Sequence, residues 1–582
     1  MNTLTASRVA VLILLCSLIL PGGSKLEGQP TGQSDGRAES LSALNQAWDN
    51  FAEAFVETYS RHFPTFAVWA GRHEFDGQLP DWSNGGIQRT IQALHEGHKK
   101  ALEFTAKELS EPRKFERDVL LWAIENDLFS LEIAGWPLRN PHYYKDMLAP
   151  AVYVNREYAP LEKRLQAYTR YARNIPPAVE QIRTNLDRPL PRVYLETGMQ
   201  VYEGMATFLE KDVPGAFTSL AETDSFKGFL IANKAATRAI RELSVWMKER
   251  VPSGTSNYAV GARLFLEMLR QTDQYDMTIE DLKRMAERDL ERNLTALREA
   301  CSKLAPGKPI AECMALINAR KPPDGSIEGA RRQLGFLKAF LLEHDMASIP
   351  GMEDVIVRES PPYERSSAGF CRYPGPLDKH LPTFFYVTPP DTSWTQKERQ
   401  DAEPSESRLL FLSIHEVWPG HFLQYQHQSR HPSLVCRLFT SYSFQEGWAH
   451  YAEEMIWECG LLANDLETQI AMLRQAAVRD VRFLSAIGLH AENMTLEESE
   501  RMFHETAFLD SKSAQREALR GTYDPEYFKY TFGKLKIRSM REEWTGSRGG
   551  RKSWKEFHDT LLSHGAPPIP LLRKSMGLTA VN

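Results

Sequence analysis

Cysteine is scarce in this chain. There are six in 582 residues, and Cys16 lies in an apolar stretch near the start. The other five, Cys301, Cys313, Cys371, Cys436 and Cys459, are scattered and contain no Cys-x-x-Cys. That argues against a disulfide framework and against a thiolate zinc site. Cys301 and Cys313 are near enough in sequence to pair in an oxidising compartment, but buried free thiols are the simpler expectation. No charge of one sign dominates. The formal net charge is -6 with both signs interspersed, which leaves no basic footprint and no expected nucleic-acid partner. No apolar run approaches the roughly 20 residues that cross a bilayer. No long Pro/Gly/Ser linker follows residue 40, and no fixed-period repeat points to a solenoid.

The start of the chain reads as an export signal. Arg8 precedes the apolar run Val9 to Leu20, and Pro21-Gly22-Gly23-Ser24 follows. The run suits a signal h-region, with cleavage after Ser24. Cys16 follows Leu15 rather than a small residue, which argues against a lipoprotein cleavage site; an uncleaved N-terminal anchor is the other reading. Residues 25–40 are polar and Gly/Ser-rich and are expected to form a disordered spacer. The mature protein is then expected outside the cytoplasm, periplasmic or secreted, with no stable membrane span. Residues 41–578 form one helical catalytic domain in this reading, with its core at about 351–545.

What remains is mostly helical in pattern. Leu44, Trp48, Phe51, Phe55 and Tyr59 form one apolar stripe, and His62-Phe63-Pro64 ends that helix. Further helical patterns cover 87–137, 157–186, 192–211, 224–250, 278–302 and 326–345. Prolines 176, 177, 189, 191, 214 and 252 are expected at the breaks. Residues 354–358 and 383–387 are β-branched and aromatic and read as strands, with a Pro/Gly-rich loop over 360–382 between them. Helical periodicity returns at Glu403 and continues to about Ser563. The fold class expected is mainly α, a large helical zinc-peptidase-like fold with a small sheet beside the metal-site helix.

The most chemical segment is His415-Glu416-Val417-Trp418-Pro419-Gly420-His421, followed by Glu446-Gly447-Trp448-Ala449-His450-Tyr451-Ala452-Glu453. Zinc takes imidazole nitrogen and carboxylate oxygen and, in catalytic sites, keeps a position open for water. A carboxylate beside a ligand is placed to take that water's proton. Histidines four apart share a helix face, but these are six apart, about 240° on a straight helix. Pro419 has no N–H and its ring clashes with the carbonyl of His415. Pro419-Gly420 is therefore expected to bend or bulge the helix and return His421 to the site. Glu446, His450 and Glu453 fall at i, i+4 and i+7, on one face. Glu446 is the expected third ligand, His450 lies near substrate or outside the ligand shell, and Glu453 orients an imidazole. His427-Gln428-Ser429-Arg430-His431 has four-residue spacing, but Gln428 stands where a base is needed and Pro432 disfavours helix there.

These residues resemble the bacterial domain-of-unknown-function family 885, placed among gluzincin-like zinc peptidases. Its pattern H-E-x-x-P-G-H-x-x-Q falls on His415, Glu416, Pro419, Gly420, His421 and Gln424. Its E-G-W-A-x-Y-x-E falls on Glu446, Gly447, Trp448, Ala449, Tyr451 and Glu453. The opening Phe63-Pro64, Gly71, Asp76, Pro80 and Asp81 resembles the family's start. Residues 357–387 resemble its pre-motif strand and loop. Glu517, Arg520, Pro525, Tyr530, Gly533, Leu535, Lys536, Ile537 and Arg541 resemble its C-terminal block, and 565–571 its tail. Two positions depart from it: Phe422 replaces a frequent histidine, and Ala486 replaces an aspartate before Ile487-Gly488-Leu489-His490. The resemblance implies a zinc hydrolase fold and peptide-like substrates, and supplies no substrate.

The function expected is an exported zinc-dependent hydrolase, a metallopeptidase holding one Zn2+ on His415, His421 and Glu446, with Glu416 as general base. Tyr530 is a candidate oxyanion donor, weighed against a core tyrosine. Tyr386 and Arg541 are candidate substrate contacts, Arg541 being weighed against a structural ion pair. Peptide or peptide-like molecules are the expected partners. The alternatives are a zinc amidase or esterase on non-peptide substrates and a non-catalytic metal-containing helical binding protein. Glu416 argues against the last, since a binding site needs no base.

Overall fold

Prolines and hydroxyl caps set many helix boundaries in the computed structural model, which describes residues 32–360, 368–378, 380–390 and 395–579. The signal and residues 25–31 of the expected spacer lie outside these. The first helix, α1 (Gly32–His62), already begins inside the segment expected as spacer. No proline falls between Gly32 and His62, so nothing stops the turn-by-turn continuation of the packed part toward the N-terminus. It is followed by α2 (Pro64–Ala70), with Pro64 at its first position. The pattern over 87–137 resolves into Asn84–Glu103 and Glu111–Leu128, separated at Phe104–Ser110. Pro176 and Pro177 do not break a helix. They sit inside Leu161–Asn185. Each removes one hydrogen bond, but Tyr168, Tyr171, Ile175 and Val179 are buried along the same helix, and that packing outweighs the loss.

The chain is mainly helical (71%), with one three-stranded mixed sheet among the described residues. Helix α3 (Ile279–Leu304) ends near Cys301, which is bonded to Cys313 of the next helix. The expected free thiols are thus corrected: the turn between the two helices brings their Cα atoms to 5.8 Å, within disulfide reach. The sheet has the order β1 (Val355–Glu359), β3 (Thr383–Val387), β2 (Gly369–Arg372). β1 is parallel to β3 with Val355 opposite Thr383, and β2 is antiparallel with Gly369 opposite Val387. β2 lies in the segment expected as loop. Its four residues carry little strand signal of their own, and the pairing comes from β3.

Then follow α4 (Glu406–Glu416), α5 (His421–Gln428), α6 (Tyr442–Glu458), α7 (Leu466–Ala491), α8 (Ser511–Tyr523) and α9 (Lys529–Gly546). α3 packs along α7, and α6 along α9. The last pair meets at glycines. A Cβ on Gly533 would lie 1.9 Å from the Ser443 carbonyl, and one on Gly447 would lie 2.5 Å from Gly533 Cα. Close approach at this crossing puts Tyr530 on the same side as Glu446. An apolar cluster containing Trp48, Val119 and Leu120 from the N-terminal helices also holds Val435, Phe439 and Leu571, tying the start of the chain to the region of the histidine motif.

Candidate metal centre

Helix α4 is capped by Ser405, whose hydroxyl accepts from Arg408 N–H, and buries Leu409, Leu410 and Ile414. It stops at Glu416. The helix is not bent but broken: residues 417–420 are outside both helices, the Trp418–Pro419 peptide is cis, and α5 starts at His421. Val417 and Trp418 N–H both reach the Ser413 carbonyl, and Gly420 N–H reaches back to Ile414 O at 3.0 Å. A Cβ at Gly420 would lie 1.9 Å from the His415 carbonyl, so the chain can fold back only with glycine there. Trp448 of α6 holds the turn from outside, donating from Nε1 to Pro419 O at 3.0 Å.

This turn cancels the six-residue spacing. The His415 and His421 rings stand 4.7 Å apart, nearly perpendicular. Glu446 Oε2 is 3.5 Å from Nε2 of each. One ligand atom from each of the three lies within 4.8 Å of the others, the single such group among the described residues. Glu446 Oε2 is buried yet accepts no hydrogen bond. Buried carboxylate oxygens are rarely left so. An oxygen facing two imidazole nitrogens, with no donor between them, fits a cation at their centre.

Behind this group, Glu453 Oε1 is 2.8 Å from His415 Nδ1. With Nδ1–H donating to Glu453, the lone pair of Nε2 is directed to Glu446 and the shared centre. Arg479 of α7 grips both oxygens of Glu453, at 2.8 and 3.1 Å, and lies 3.2 Å from His415 Nδ1. Nothing local in the sequence pointed to Arg479; it arrives from a separate helix. Burial opposes charge on His415, yet the nearby Glu446 and Glu453 carboxylates hold its pKa up to about 9. The pocket's field favours a cation here. Burial raises Glu453 and Glu446, but Arg479 in the first case and His421 in the second pull them below the usual carboxylate range.

Glu416 follows directly. Its Oε2 accepts from Cys371 N–H of β2 at 3.1 Å, and burial raises its pKa against the pull of His421 and His415. Tyr530 lies over the site, its ring 6.3 Å from His415 and 6.0 Å from Tyr442. Arg479, Arg482 and Arg520 surround that ring at 5.8, 5.1 and 5.8 Å. Burial, then Glu446, raises the Tyr530 pKa.

His450 is 2% exposed with neither ring nitrogen hydrogen-bonded, its Nδ1 3.6 Å from Glu453. Burial, with Lys534 and Arg479 nearby, lowers it to about 3. It stands on the far side of Glu453 from His415. Arg541 is not brought to the centre. It pairs with Glu458 at 2.5 Å, bonds Tyr451 and stacks on Trp554 at 3.8 Å, the structural alternative. Tyr386 packs with Phe370 and Phe384 at 5.2 and 5.8 Å. It alternates to the sheet face opposite Phe385. His427 bonds the Ser348 carbonyl, His431 accepts from Ser433 N–H, and His490 bonds Gly521 O; none joins the group.

A family model described as "Bacterial protein of unknown function (DUF885)" matches residues 64–576. Two solved structures share the fold. A "putative lipoprotein of unknown function" from Shewanella oneidensis is 22% identical with a TM-score of 0.76, over 91% of this chain and 99% of its own. A "putative lipoprotein" from Colwellia psychrerythraea is 17% identical with a TM-score of 0.77, over 93% and 99%. A "putative oligoendopeptidase F" from Bacillus anthracis str. Ames matches at 13% identity with a TM-score of 0.31, over 84% and 92%. No curated protein matches the chain.

Proposed function

The chain belongs to the DUF885 family, and from that premise and the geometry above we propose that it is an exported zinc-dependent hydrolase acting on peptide bonds. The observation that carries this is the buried Glu446 oxygen, without a donor and equidistant from two imidazole nitrogens, with the Glu416 carboxylate beside them. Hard and borderline donors of this kind suit zinc. A zinc ion held there would supply an acidified water and a Lewis acid for the scissile carbonyl.

The chain's own residues do the rest. Glu416 keeps Oε2 on Cys371 N–H, so Oε1 takes the proton of the attacking water and returns it to the leaving amine. Tyr442 lies edge-on to Tyr530, ring centroids 6.0 Å apart, and its hydroxyl accepts from Arg520 at 3.1 Å, which leaves its proton to be given toward Tyr530. With Tyr442 donating, the proton of Tyr530 is free to meet the developing oxyanion. Thr388 N–H donates to Ala368 O and Cys371 N–H to Glu416. Alternate residues of β2 therefore turn their main-chain groups to β3, while Gly369 and Cys371 turn theirs outward. On that side the Cys371 carbonyl, next to the N–H that holds Glu416, is where extended substrate would pair.

Export is supported by the Arg8, apolar run and Gly22-Gly23-Ser24 series, by the Cys301–Cys313 bond, and by the descriptions of the two relatives. No helix among the described residues is long and apolar enough to cross a membrane. Incubating the purified protein with a mixed peptide library, with and without a chelator, tests the reading. Chelator-sensitive cleavage is the expected result; ester or amide turnover without peptide cleavage would move it to the non-peptide class.

A further inference from the structure

The opening segment around Gly71 and Asp76 takes no part in the chemistry above, yet it meets the strand that carries the Glu416 contact. Main-chain groups interlock first. Leu377 N–H donates to Ala70 O at 2.9 Å. A Cβ on Gly375 would lie 2.4 Å from the Ala70 carbonyl carbon, and one on Gly71 would lie 2.6 Å from Asp378 N. The turn after β2 is thus pressed against the C-terminal end of α2.

Charge then fixes the join. His73 Nδ1 is 3.1 Å from Asp76 and its Nε2 is 3.0 Å from Asp378. Both ring nitrogens face carboxylates, so both must donate, and the ring is an imidazolium. It stacks on Tyr158 at 3.5 Å, and the Tyr158 hydroxyl donates to the other oxygen of Asp76. Asp378 in turn accepts from Gly375 N–H at 3.0 Å and Arg156 at 3.2 Å. Arg156 also donates to Trp69 O of α2 and Tyr373 O of the turn.

From there the turn reaches the metal helices. The Tyr373 ring stacks on Tyr425 of α5 at 4.4 Å, and its hydroxyl accepts from Gln445, the neighbour of Glu446, at 2.9 Å. Two residues earlier Cys371 N–H holds Glu416. We propose that His73 and Asp378 are positioning residues, an imidazolium–carboxylate latch that holds the 373–378 turn, and with it the outward edge of β2, in register with Glu416 and the metal helices. Its effect on substrate binding rests on the peptidase reading; the latch itself does not.

An apolar contact would hold two surfaces together as well as a buried ion pair does. What the charged pair adds is direction, because each carboxylate oxygen has an assigned donor. The charged and titratable groups facing His73 are Asp76, Arg72 and Glu74 on its own segment, and Arg156 and Tyr158 before the Leu161–Asn185 helix. Arg170 of that helix donates to Asp76 O, and the β2 side supplies Asp378 and Arg372. Burial opposes the charge on His73, but Asp378 and Asp76 outweigh it and hold the pKa up to about 9. The raised value places the full latch below the ordinary histidine range and its loss through about 9.

The test uses the full chain and four proteins: wild type, His73→Gln, Asp378→Asn and His73→Arg. Zinc content, kcat and KM on the best library peptide, and amide exchange in 369–378 and 441–458 are measured from about pH 7 to about pH 10, spanning the histidine titration. His73→Gln and Asp378→Asn are expected to raise KM roughly tenfold, the scale of one charge-assisted hydrogen bond. Zinc and kcat should hold, and exchange should rise in 369–378 alone. Wild-type KM should climb through about pH 9. His73→Arg, planar and charged throughout, should keep the low KM and lose that climb. Unchanged KM and exchange in His73→Gln overturns the latch. So does loss of zinc with faster exchange everywhere, which marks simple fold support; if Asp378→Asn does not fold, His73→Gln decides alone. If wild type cleaves no peptide, the peptidase reading fails, and the pH dependence of exchange in 369–378 still decides the latch.

Discussion

His415 Nδ1 lies 2.8 Å from Oε1 of Glu453, and Arg479 holds both oxygens of that carboxylate. The relationship fixes which imidazole nitrogen can face a metal. It separates two carboxylates that the sequence places on one helical face: Glu446 points at the Nε2 atoms, Glu453 at the back of one ring.

Metal content should follow that division. Glu446→Gln and His421→Ala each remove one of the three proposed ligands and should strip zinc on dialysis. Glu453→Gln should retain it with affinity weakened roughly 10–100-fold, the usual effect of an outer partner. Metal analysis with competitive chelation reads both. If Glu453→Gln strips zinc and Glu446→Gln keeps it, the ligand is Glu453.

Tyr530→Phe should lower kcat on the order of 10²-fold with zinc content and KM little changed, because an oxyanion donor acts in the transition state. Tyr442→Phe should reproduce part of the loss, since it frees the Tyr530 oxygen to take other partners. Steady-state kinetics on one peptide suffices. An unchanged kcat in Tyr530→Phe returns the residue to the packing around Tyr442 and the three arginines.

The grouping of His415, His421 and Glu446 was legible because they lie within two short segments with helical spacing, and the Pro419-Gly420 pair announced the irregularity between the histidines. Its form was not legible: nearest-neighbour rules predict a kink, whereas hydrogen bonds back to Ser413 and Ile414 close a turn between two helices. Long helices were legible from their apolar stripes. Strand β2 was not, because its pairing is supplied by β3. Arg479, Arg156 and Asp378 carry no motif and act on groups from distant parts of the chain. Arg541 shows the converse, a plausible residue type whose side chain is committed to Glu458, Tyr451 and Trp554.

Acid should weaken the fold partly through His490. Burial lowers its pKa to about 4, and its Nε2 bonds Gly521 O at 2.7 Å. The unfolded chain binds a proton near 6.5 that the folded chain refuses until about 4. Its contribution is therefore complete above 6.5 and is lost as pH falls through that interval, at about 1.4 kcal/mol per unit, roughly 3 kcal/mol in all. Asp127, raised to about 7 by burial, acts in the opposite sense, so the difference between proteins isolates the histidine. His490→Gln, whose amide can still donate to Gly521 O, should lose less stability than wild type between pH 6.5 and 4 in denaturant titrations. Parallel curves for the two proteins would show that His490 does not titrate on unfolding.

Glu416→Gln tests the mechanism most directly. Glutamine is nearly isosteric, and its carbonyl oxygen can still accept from Cys371 N–H, so β2 should keep its place. His415, His421 and Glu446 are untouched, and zinc should remain bound. What is lost is an oxygen able to take a proton and give it back. The expected protein is folded, zinc-loaded and slower by on the order of 10²–10⁴, with substrate binding retained because the β2 edge and Tyr530 are intact. Zinc analysis, thermal melting and single-turnover cleavage of the best library peptide give the three readings together. Cleavage at the wild-type rate by the zinc-loaded variant would show that another group takes the proton, and the peptidase mechanism would fail with Glu416.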